Sequence, residues 1–395
     1  MATDLNAVPV SWNLRLVGHA DLDGEGDCMH LNIRDGYAYV GHMGERGTSI
    51  IDVRDPVRPR LVHRIPSFPN THGHKVQIVG DILLVNRERI PRSSGPWVSG
   101  LSIYDVSRPT QPREIAFWPC GGKGVHRMTY WAAPYAWVTA GDDDYNDQFL
   151  VVLDLSDPAR PEEVGRWWLP GMRVGAGEVP DWGEDAVVKL HHAIVRGDRA
   201  YCAWWDKGVV ILDVADPSAP RLVSHLEFDH EASRSTHTAF PLPGRDLLVV
   251  TEERIAAGCV GPTPNARLVD ISDETRPRVV ATFPVPAGDF CARGGRFGPH
   301  NVHEMRPGTL SDPNTVYLTY FNAGLRVVDV ADPTQPTEIA WFIPDPPPGR
   351  PAIQLNDVLV GPDGLVYVTD RLAGGLYILE LEAGAEAARP GSATG

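Results

Sequence analysis

The sequence predicts an all-β protein, a single seven-bladed β-propeller of four-stranded blades over residues 1–381. One phrase recurs along the chain, in which a short apolar strand is followed by Asp, an apolar residue, a polar-Pro turn and a second strand. Another pair of strand-like segments precedes each copy of the phrase. Runs of β-branched and aromatic residues bounded by Gly, Pro, Asp and Asn are typical of strands, and no stretch has sustained helical periodicity.

Six complete copies of the phrase are centred on regularly spaced aspartates. They read SIIDVRDPVRPRLV, LSIYDVSRPTQPREI, LVVLDLSDPARPEEV, VVILDVADPSAPRLV, ARLVDISDETRPRVV and LRVVDVADPTQPTEI. The aspartates are Asp52, Asp105, Asp154, Asp213, Asp270 and Asp329, separated by 53, 49, 59, 57 and 59 residues. Such spacing is typical of propeller blades. Within each copy, Asp and Pro are expected to set a turn through an Asx-type hydrogen bond and a fixed φ.

A seventh copy, GGLYILELEAG, begins at Gly374 and stops before its turn. The segment Asn13–Asp21, NLRLVGHAD, resembles the strand that follows each complete turn. We therefore expect the N-terminal strand, about residues 13–21, to complete the last blade and close the ring, which removes open sheet edges. Residues 382–395, rich in Ala, Gly and Glu, are expected to form a disordered tail.

The recurring phrase resembles the LVIVD repeat, which is named for the strand before its Asp, and the resemblance covers nearly the whole chain. It implies a β-propeller and no particular activity. A propeller with several channel histidines is also distantly similar to the selenium-binding protein and methanethiol oxidase group and to the four-histidine iron carotenoid oxygenases. That second similarity is an analogy of fold, because no motif places the sequence in either group.

Nine of the fourteen histidines fall at one structural level, the start of the innermost strand of a blade. They stand in six of the seven predicted blades, in the segments MH, HGH, VH, LHH, THT and PHNVH, and the seventh blade has Asn356 and Asp357 instead. Because inner strands line the channel, we expect these side chains to converge. Neutral imidazoles without Cys suit Fe, Mn or Cu, or alternatively Zn, rather than Ca or Mg. In the alternative interpretation each histidine only bonds neighbouring loop backbone.

We predict that four of five histidines hold a transition metal ion: His74, His126, His192, His237 and His300. Neighbours such as His191 and His192 point to opposite sides of a strand, so the member of each pair that faces the channel is left open. The candidate catalytic groups are Glu252, His303 and Asp357, although Glu252 could instead be solvated beside a Glu253–Arg254 ion pair. The candidate substrate-binding residues are Arg127, Tyr130, Trp204, Trp205, Phe297 and Asn356, which would supply aromatic walls and one or two cations.

Composition excludes several classes of function. The formal net charge of -15, without any Lys/Arg-rich run, argues against a nucleic-acid partner. No apolar run reaches the roughly 20 residues that cross a bilayer, and the N-terminus lacks the pattern of a signal peptide. Five scattered cysteines without a CxxC pair fit a reducing compartment, so we expect a cytoplasmic protein. The absence of GxSxG, HExxH, Walker and dinucleotide motifs argues against serine-hydrolase and nicotinamide chemistry.

The leading hypothesis is a metal-dependent oxygenase or oxidase that acts on a small aromatic or apolar organic molecule. A histidine-only site leaves open coordination positions without added negative charge, which suits such chemistry. One alternative is a lyase or hydrolase in which the metal is a Lewis acid. Another is a non-catalytic propeller that presents its rim to another protein. The sequence identifies neither the substrate nor the oligomeric state.

Overall fold

The computed structural model describes residues 10–24, 26–229 and 235–382. Across these residues it contains β-strands and one short 3₁₀-helix, Val174–Ala176, so the all-β prediction is confirmed. The predicted disordered tail lies outside the described residues, except for Glu382. No helix in the described part of the chain is long and apolar enough to cross a membrane.

The strands of the first half are β1 Val10–Trp12, β2 Leu14–Ala20, β3 Cys28–Arg34, β4 Tyr37–His42, β5 Thr48–Asp52, β6 Arg60–Ile65, β7 Thr71–His72, β8 Val76–Val79, β9 Ile82–Arg89, β10 Gly100–Asp105, β11 Arg113–Pro119, β12 Gly121–Thr129, β13 Tyr135–Gly141, β14 Phe149–Asp154 and β15 Glu162–Trp167. Those of the second half are β16 His192–Arg196, β17 Arg199–Trp204, β18 Gly208–Asp213, β19 Arg221–Leu226, β20 Thr236–Pro241, β21 Leu247–Glu252, β22 Ala266–Asp270, β23 Arg278–Thr282, β24 Thr315–Thr319, β25 Leu325–Asp329, β26 Thr337–Ile343, β27 Leu355–Val360, β28 Leu365–Asp370 and β29 Gly375–Leu381.

The strands pair in antiparallel sheets that follow chain order. Three four-stranded sheets consist of β3 to β6, β16 to β19 and β20 to β23. Two others recruit N-terminal strands, in the orders β27-β28-β29-β2 and β24-β25-β26-β1. The remaining sheet has nine strands and joins β7 to β11 and β12 to β15, which meet through the single pair Gly124 and Glu88. The faces of these sheets carry the large apolar core clusters.

The N-terminal segment occupies the outer edge of two sheets. Strand β2 pairs with β29 from Leu14 opposite Leu381 to Ala20 opposite Leu376. Gly18 lies against the backbone of Pro56, where an added Cβ would come within 1.9 Å of the carbonyl oxygen. The same contact recurs between Gly165 and Pro217, at 2.2 Å. Strand β2 therefore meets a neighbouring turn in the same way as β15, an outer strand from the middle of the chain.

The recurring Asp closes a local turn in every complete copy of the phrase. In each of the six copies an aspartate Oδ1 accepts a hydrogen bond from the backbone N–H two residues later, at 2.7 to 3.2 Å. This Asx turn joins the third strand of a sheet to the outer one, as the phrase predicts. Because strands alternate in direction, these turns lie at the opposite end of each sheet from the start of the inner strand.

A disulfide joins Cys259 to Cys291, with 5.5 Å between the Cα atoms. The bridge connects the loop after β21 to the segment that carries Arg296. Cys28, Cys120 and Cys202 are free. The sequence argument from scattered cysteines did not anticipate this bridge, because its partners are 32 residues apart and form no short motif. Structural disulfides are typical of oxidising compartments, so the cytoplasmic location stays a prediction.

Candidate metal centre

Six histidine rings form a continuous arc near the starts of the inner strands. Successive rings, in the order His72, His74, His126, His191, His237 and His300, have centroids 4.1, 5.1, 4.7, 3.9 and 4.2 Å apart. All six line one cavity of about 850 Å³, together with Glu88 and Glu253. The predicted convergence of histidines from different inner strands is therefore observed at this level of the fold.

The arc contains two sets of two histidines and one glutamate whose donor atoms lie within 4.8 Å of one another. We call His72, His74, His126 and Glu88 the Glu88 group. We call His191, His237, His300 and Glu253 the Glu253 group. In each of them the close donor set is two histidines and the glutamate, namely His72 and His74 with Glu88, and His191 and His237 with Glu253.

In the Glu88 group, both carboxylate oxygens already have hydrogen-bond partners. Oε2 of Glu88 lies 3.0 Å from Nε2 of His72 and 2.9 Å from Nδ1 of His126, and Oε1 accepts from Gln148 at 2.8 Å. Burial alone would raise the pKa of Glu88, but the charges and hydrogen bonds of His126 and His72 hold that pKa well below its usual range. The ionised carboxylate therefore already has a hydrogen-bond partner on both oxygens.

The tautomer of His74 is set by Asn86. Oδ1 of Asn86 accepts from the backbone N–H of Lys75 at 2.8 Å, and Nδ2 donates to the carbonyl of Val125 at 2.8 Å. This orientation points Nδ2 at Nδ1 of His74, 3.1 Å away. Nδ1 of a neutral His74 must then accept, and its proton lies on Nε2, which faces Glu88 at 3.9 Å. His74 is consequently arranged as a hydrogen-bond donor.

Two histidines of the Glu253 group, His191 and His300, have the opposite arrangement, whereas the bond of His237 to a hydroxyl fixes no tautomer. Nδ1 of His191 donates to the carbonyl of His237 at 2.6 Å, and Nδ1 of His300 donates to the carbonyl of Asn356 at 2.7 Å. Nδ1 of His237 bonds the hydroxyl of Thr238 at 2.8 Å. A backbone carbonyl on Nδ1 leaves Nε2 with its lone pair, which is the arrangement that orients metal-binding histidines. Burial lowers the pKa of all three imidazoles well below the usual range, so they are neutral.

The carboxylate of Glu253 accepts fewer hydrogen bonds than that of Glu88. Its Oε1 accepts from Arg296 at 2.6 Å and lies 3.6 Å from Nε2 of His300, whereas Oε2 faces Nε2 of His237 at 4.0 Å. Oε2 has no hydrogen bond to any described residue. Gaps of 3.6 and 4.0 Å are too long for hydrogen bonds, but metal–ligand bonds of about 2.0–2.2 Å on each side span them. The donor set could hold a transition metal ion.

Beneath the arc lies a buried cluster of charged residues. Arg127 is 1% exposed and donates to Glu304 at 2.5 Å and to Asn301 at 2.8 Å. His192 belongs to this level, since its Nε2 bonds Thr129 and its Nδ1 faces Glu304 at 3.6 Å. The sequence placed His192 in the ligand set, but His191 is the member of the pair that lines the cavity.

Asp357 and Asn356 also lie below the arc. Asp357 accepts from the backbone N–H of Leu31 and lies 3.8 Å from His30, and its burial raises the pKa to about 6. Asn356 donates from Nδ2 to the carbonyl of Met29. Neither side chain lines the cavity. The predicted catalytic role of Asp357 and the predicted substrate-binding role of Asn356 therefore have no support from a direct contact with the cavity.

The other two predicted catalytic residues have structural partners. Glu252 is 1% exposed, forms an ion pair with Arg267 and accepts from the backbone N–H of Asn265 at 2.7 Å. His303 donates from Nε2 to the carbonyl of Leu310 at 2.8 Å, while its Nδ1 accepts from the backbone N–H of Val360 at 3.2 Å. Their catalytic roles stay predictions, and neither side chain lines the cavity.

The predicted aromatic walls are only partly at the cavity. Trp205 lines it, with Nζ of Lys189 over its ring at 4.5 Å. Trp204 and Tyr130 are buried in one core cluster, and Phe297 stacks on Phe290 in another. Of the predicted substrate-binding residues, Trp205 alone lines the cavity.

Sequence reasoning missed several residues of this site. Glu88 and Glu253 stand at or just beyond the ends of second strands, and each occurs in a short charged run, NRER and TEER. These two acidic residues lie at the same end of the sheets as the histidines, and this pattern could have predicted them as part of the site. Lys75 was also missed, although it follows a predicted ligand and lines the cavity while being 2% exposed. Burial, together with Arg127, lowers its pKa to about 7.

Comparison with known proteins supports the fold and leaves the chemistry open. The LVIVD repeat model matches residues 25–66, 135–168, 192–227 and 314–342. No curated protein matches the sequence. The predicted resemblance to LVIVD-repeat propellers is therefore confirmed by four of the repeats.

Solved structures of propellers resemble the chain over most of its length. The Myceliophteria thermophila Cps50 (Swd1) beta-propeller domain has a TM-score of 0.57 at 11% identity, covering 94% of this chain and 99% of that one. A hypothetical selenium-binding protein from Sulfolobus tokodaii has a TM-score of 0.57 at 14% identity, covering 91% and 87%. The N-terminal domain of Nup159 has a TM-score of 0.56 at 12% identity, covering 93% and 95%. At such identities the likeness concerns the fold alone.

Proposed function

We propose that this LVIVD-repeat β-propeller is a metal-dependent enzyme that binds one transition metal ion in the Glu253 group and acts on a small organic molecule in the adjoining cavity. The ligands in this proposal are His191, His237 and Glu253, and the ring of His300 lies beside that of His237. One observation carries it: donor atoms of the buried, neutral His191 and His237 lie within 4.8 Å of one another and of a carboxylate oxygen of Glu253, and Oε2 of Glu253 has no hydrogen bond within the described residues.

The Glu88 group has a different part in this proposal. Nδ1 of His126 donates to the ionised Glu88, and Nε2 of His126 is buried without a hydrogen-bond partner among the described residues. A carboxylate that holds Nδ1–H leaves Nε2 free to take a proton, as in general-base catalysis by histidine. Since the rings of His126 and His191 are 4.7 Å apart, this base lies beside the proposed ion.

The donor set favours oxygenase or oxidase chemistry. Two histidines and one carboxylate with open positions are typical of non-haem Fe(II) oxygenases. The sequence prediction of a histidine-only site is thereby replaced by a proposal that includes Glu253. If the native ion is Zn, the same ligands and the base His126 favour a lyase or hydrolase, in which the ion acts as a Lewis acid.

Metal analysis of protein purified without a histidine tag tests the proposal. We expect about one equivalent of Fe, Mn or Cu, or of Zn in the alternative. His191→Ala should lose the ion, whereas His192→Ala, the matched change one residue away, should retain it. His126→Gln should retain the ion and lose turnover. A wild-type protein with well below one equivalent of any transition metal would overturn the proposal and leave the non-catalytic alternative, a scaffold for another protein.

We also propose that the sheets are seven blades closed into a ring by β2. The eight strands from β8 to β15 would form two blades that touch at Gly124, whose φ of 103° and close approach to the Arg87 carbonyl suit glycine alone. The segment around His303 would serve as the inner strand beside β24, since Val302 bridges Leu318. The contact between Gly18 and Pro56 supports closure, because Gly165 and Pro217 repeat it between neighbouring sheets.

A further inference from the structure

The cavity of the proposed metal centre carries a positive charge on an acidic protein. Seven Lys or Arg side chains line it against two carboxylates, a formal charge of +5 with neutral histidines, whereas the whole chain has a formal charge of -15. Both carboxylates already face cationic or donor groups. Basic residues lining one cavity of an acidic protein focus a positive potential on whatever enters it.

The deepest of these cations is Lys75. The residue is 2% exposed, its backbone N–H is held by Asn86, and its side chain reaches the cavity. Its ammonium has no hydrogen bond and no ion pair with any residue between 10 and 382 that the structure describes. An anion in the cavity would give this buried amine the counter-ion that it lacks among the described residues.

A second cationic group lies beside Glu253. Arg296 bonds that carboxylate at 2.6 Å, and Nη1 of Arg371 lies 3.8 Å from the same oxygen without a hydrogen bond. One carboxylate therefore faces two guanidinium groups. The surplus donor of Arg371 is available to an anion, since a guanidinium presents several N–H groups to a carboxylate.

Apolar residues also line this cavity. Met29, Met43 and Ile255 line the cavity with Trp205, over which Lys189 is placed. No ion pair of Lys189 is found in the described ranges. A ligand that suits this lining has an apolar or aromatic body and a negative group.

We propose that the substrate is a small organic carboxylate whose carboxylate group binds Lys75 and Arg371. The reaction of this substrate rests on the proposed function, but binding of its carboxylate group to Lys75 and Arg371 requires no metal ion. The substrate class is thereby narrowed from any aromatic or apolar molecule to an anion with an apolar body.

Calorimetric titration of metal-free protein with benzoate and with benzamide tests the inference. Phenylacetate with phenylacetamide and cinnamate with cinnamamide provide two further pairs, in which the members differ mainly in charge. We expect at least one acid to bind about tenfold or more tightly than its amide. Equal binding within every pair, or no binding of any acid at millimolar concentration, would overturn the proposal.

Substitutions of Lys75 and Arg371 test whether these two residues bind the carboxylate group. Lys75→Met should weaken binding of the acid about tenfold or more and leave the amide unchanged. Lys123→Met is the matched control, because Lys123 lines the same cavity but is paired with Asp147 at 2.7 Å. Arg371→Gln gives a second, independent variant should Lys75→Met fail to fold. Acid binding that both Lys75→Met and Arg371→Gln leave intact would contradict the assignment.

The experiments distinguish failure of the proposed metal centre from failure of the proposed carboxylate site. A protein that holds no transition metal but prefers acids to amides loses the proposed metal chemistry and keeps the carboxylate site. A protein that holds the ion in the Glu253 group but shows no preference keeps the metal centre and loses the substrate class.

Discussion

Glu88 and Glu253 carry the same functional group at the ends of corresponding strands, but their oxygens are occupied differently. Both oxygens of Glu88 have partners, from His72, His126 and Gln148. In Glu253 one oxygen is bonded to Arg296, and the other has no hydrogen bond within the described residues. A metal ion can therefore bind Glu253 without displacing an existing bond.

A matched pair of substitutions separates these two carboxylates. Glu253→Gln should weaken metal affinity at least about tenfold, since even the loss of an outer partner of a ligand costs that much. Glu88→Gln should leave metal affinity near the wild-type value. Competition with a chromophoric chelator measures both. The reverse order of effects would place the ion in the Glu88 group.

His303 provides a pH-dependent test of stability. Burial lowers its pKa from 6.5 to about 4, so the unfolded chain takes up a proton first as the pH falls. Stability is then complete above about pH 6.5 and is lost progressively down to about pH 4, by on the order of 3 kcal/mol.

We expect His303→Gln to be less stable than wild type at neutral pH and to lose less stability between pH 6.5 and pH 4. Denaturant unfolding across this range measures the difference. His63→Gln, at a half-buried site on the outer strand β6, serves as the control for the change from His to Gln. Parallel pH profiles for wild type and His303→Gln would show that His303 titrates as it does in the unfolded chain.

At the scale of the strand, irregular pairing explains why the inward-facing histidines could not be predicted. Alternation assigns faces only while the register is unbroken. The inner strands change register at this level, around His126 in β12, around His237 in β20, around His30 in β3 and at Asn356 in β27. A bulge adds one residue and reverses the faces beyond it. The position of the histidines at the starts of inner strands was predictable, whereas the side chains that face the cavity from these irregular strands were not.

The role of β2 can be tested through its glycine. An Ala at Gly18 would bring Cβ within 1.9 Å of the Pro56 carbonyl, and an Ala at Gly165 would meet Pro217 at 2.2 Å. We expect Gly18→Ala and Gly165→Ala to destabilise the protein by a similar amount, about 1–3 kcal/mol each. Gly183→Ala, an exposed position, should have little effect. A negligible cost at Gly18 beside a large cost at Gly165, measured by denaturant unfolding, would mean that β2 does not close the ring.

Across the whole molecule, the strands could be predicted from the sequence repeat, whereas the site could not, because it is formed by contacts between different sheets. The six Asx turns and the strands around them follow from short-range sequence, because each turn bonds within two residues. In contrast, His191 bonds the carbonyl of His237 across 46 residues, and His300 bonds the carbonyl of Asn356 across 56. Which side chains meet, and which nitrogen each presents, depends on how the sheets are placed around the axis.

The proposed transition metal ion in the Glu253 group can be located directly by crystallography. A crystal structure with anomalous diffraction data collected above and below the absorption edge of the native metal locates that ion directly. We expect one anomalous peak within bonding distance, about 2.0–2.2 Å, of Nε2 of His191, Nε2 of His237 and a carboxylate oxygen of Glu253. A peak between His72, His74 and Glu88, or no peak in protein that has been shown to contain metal, would contradict it.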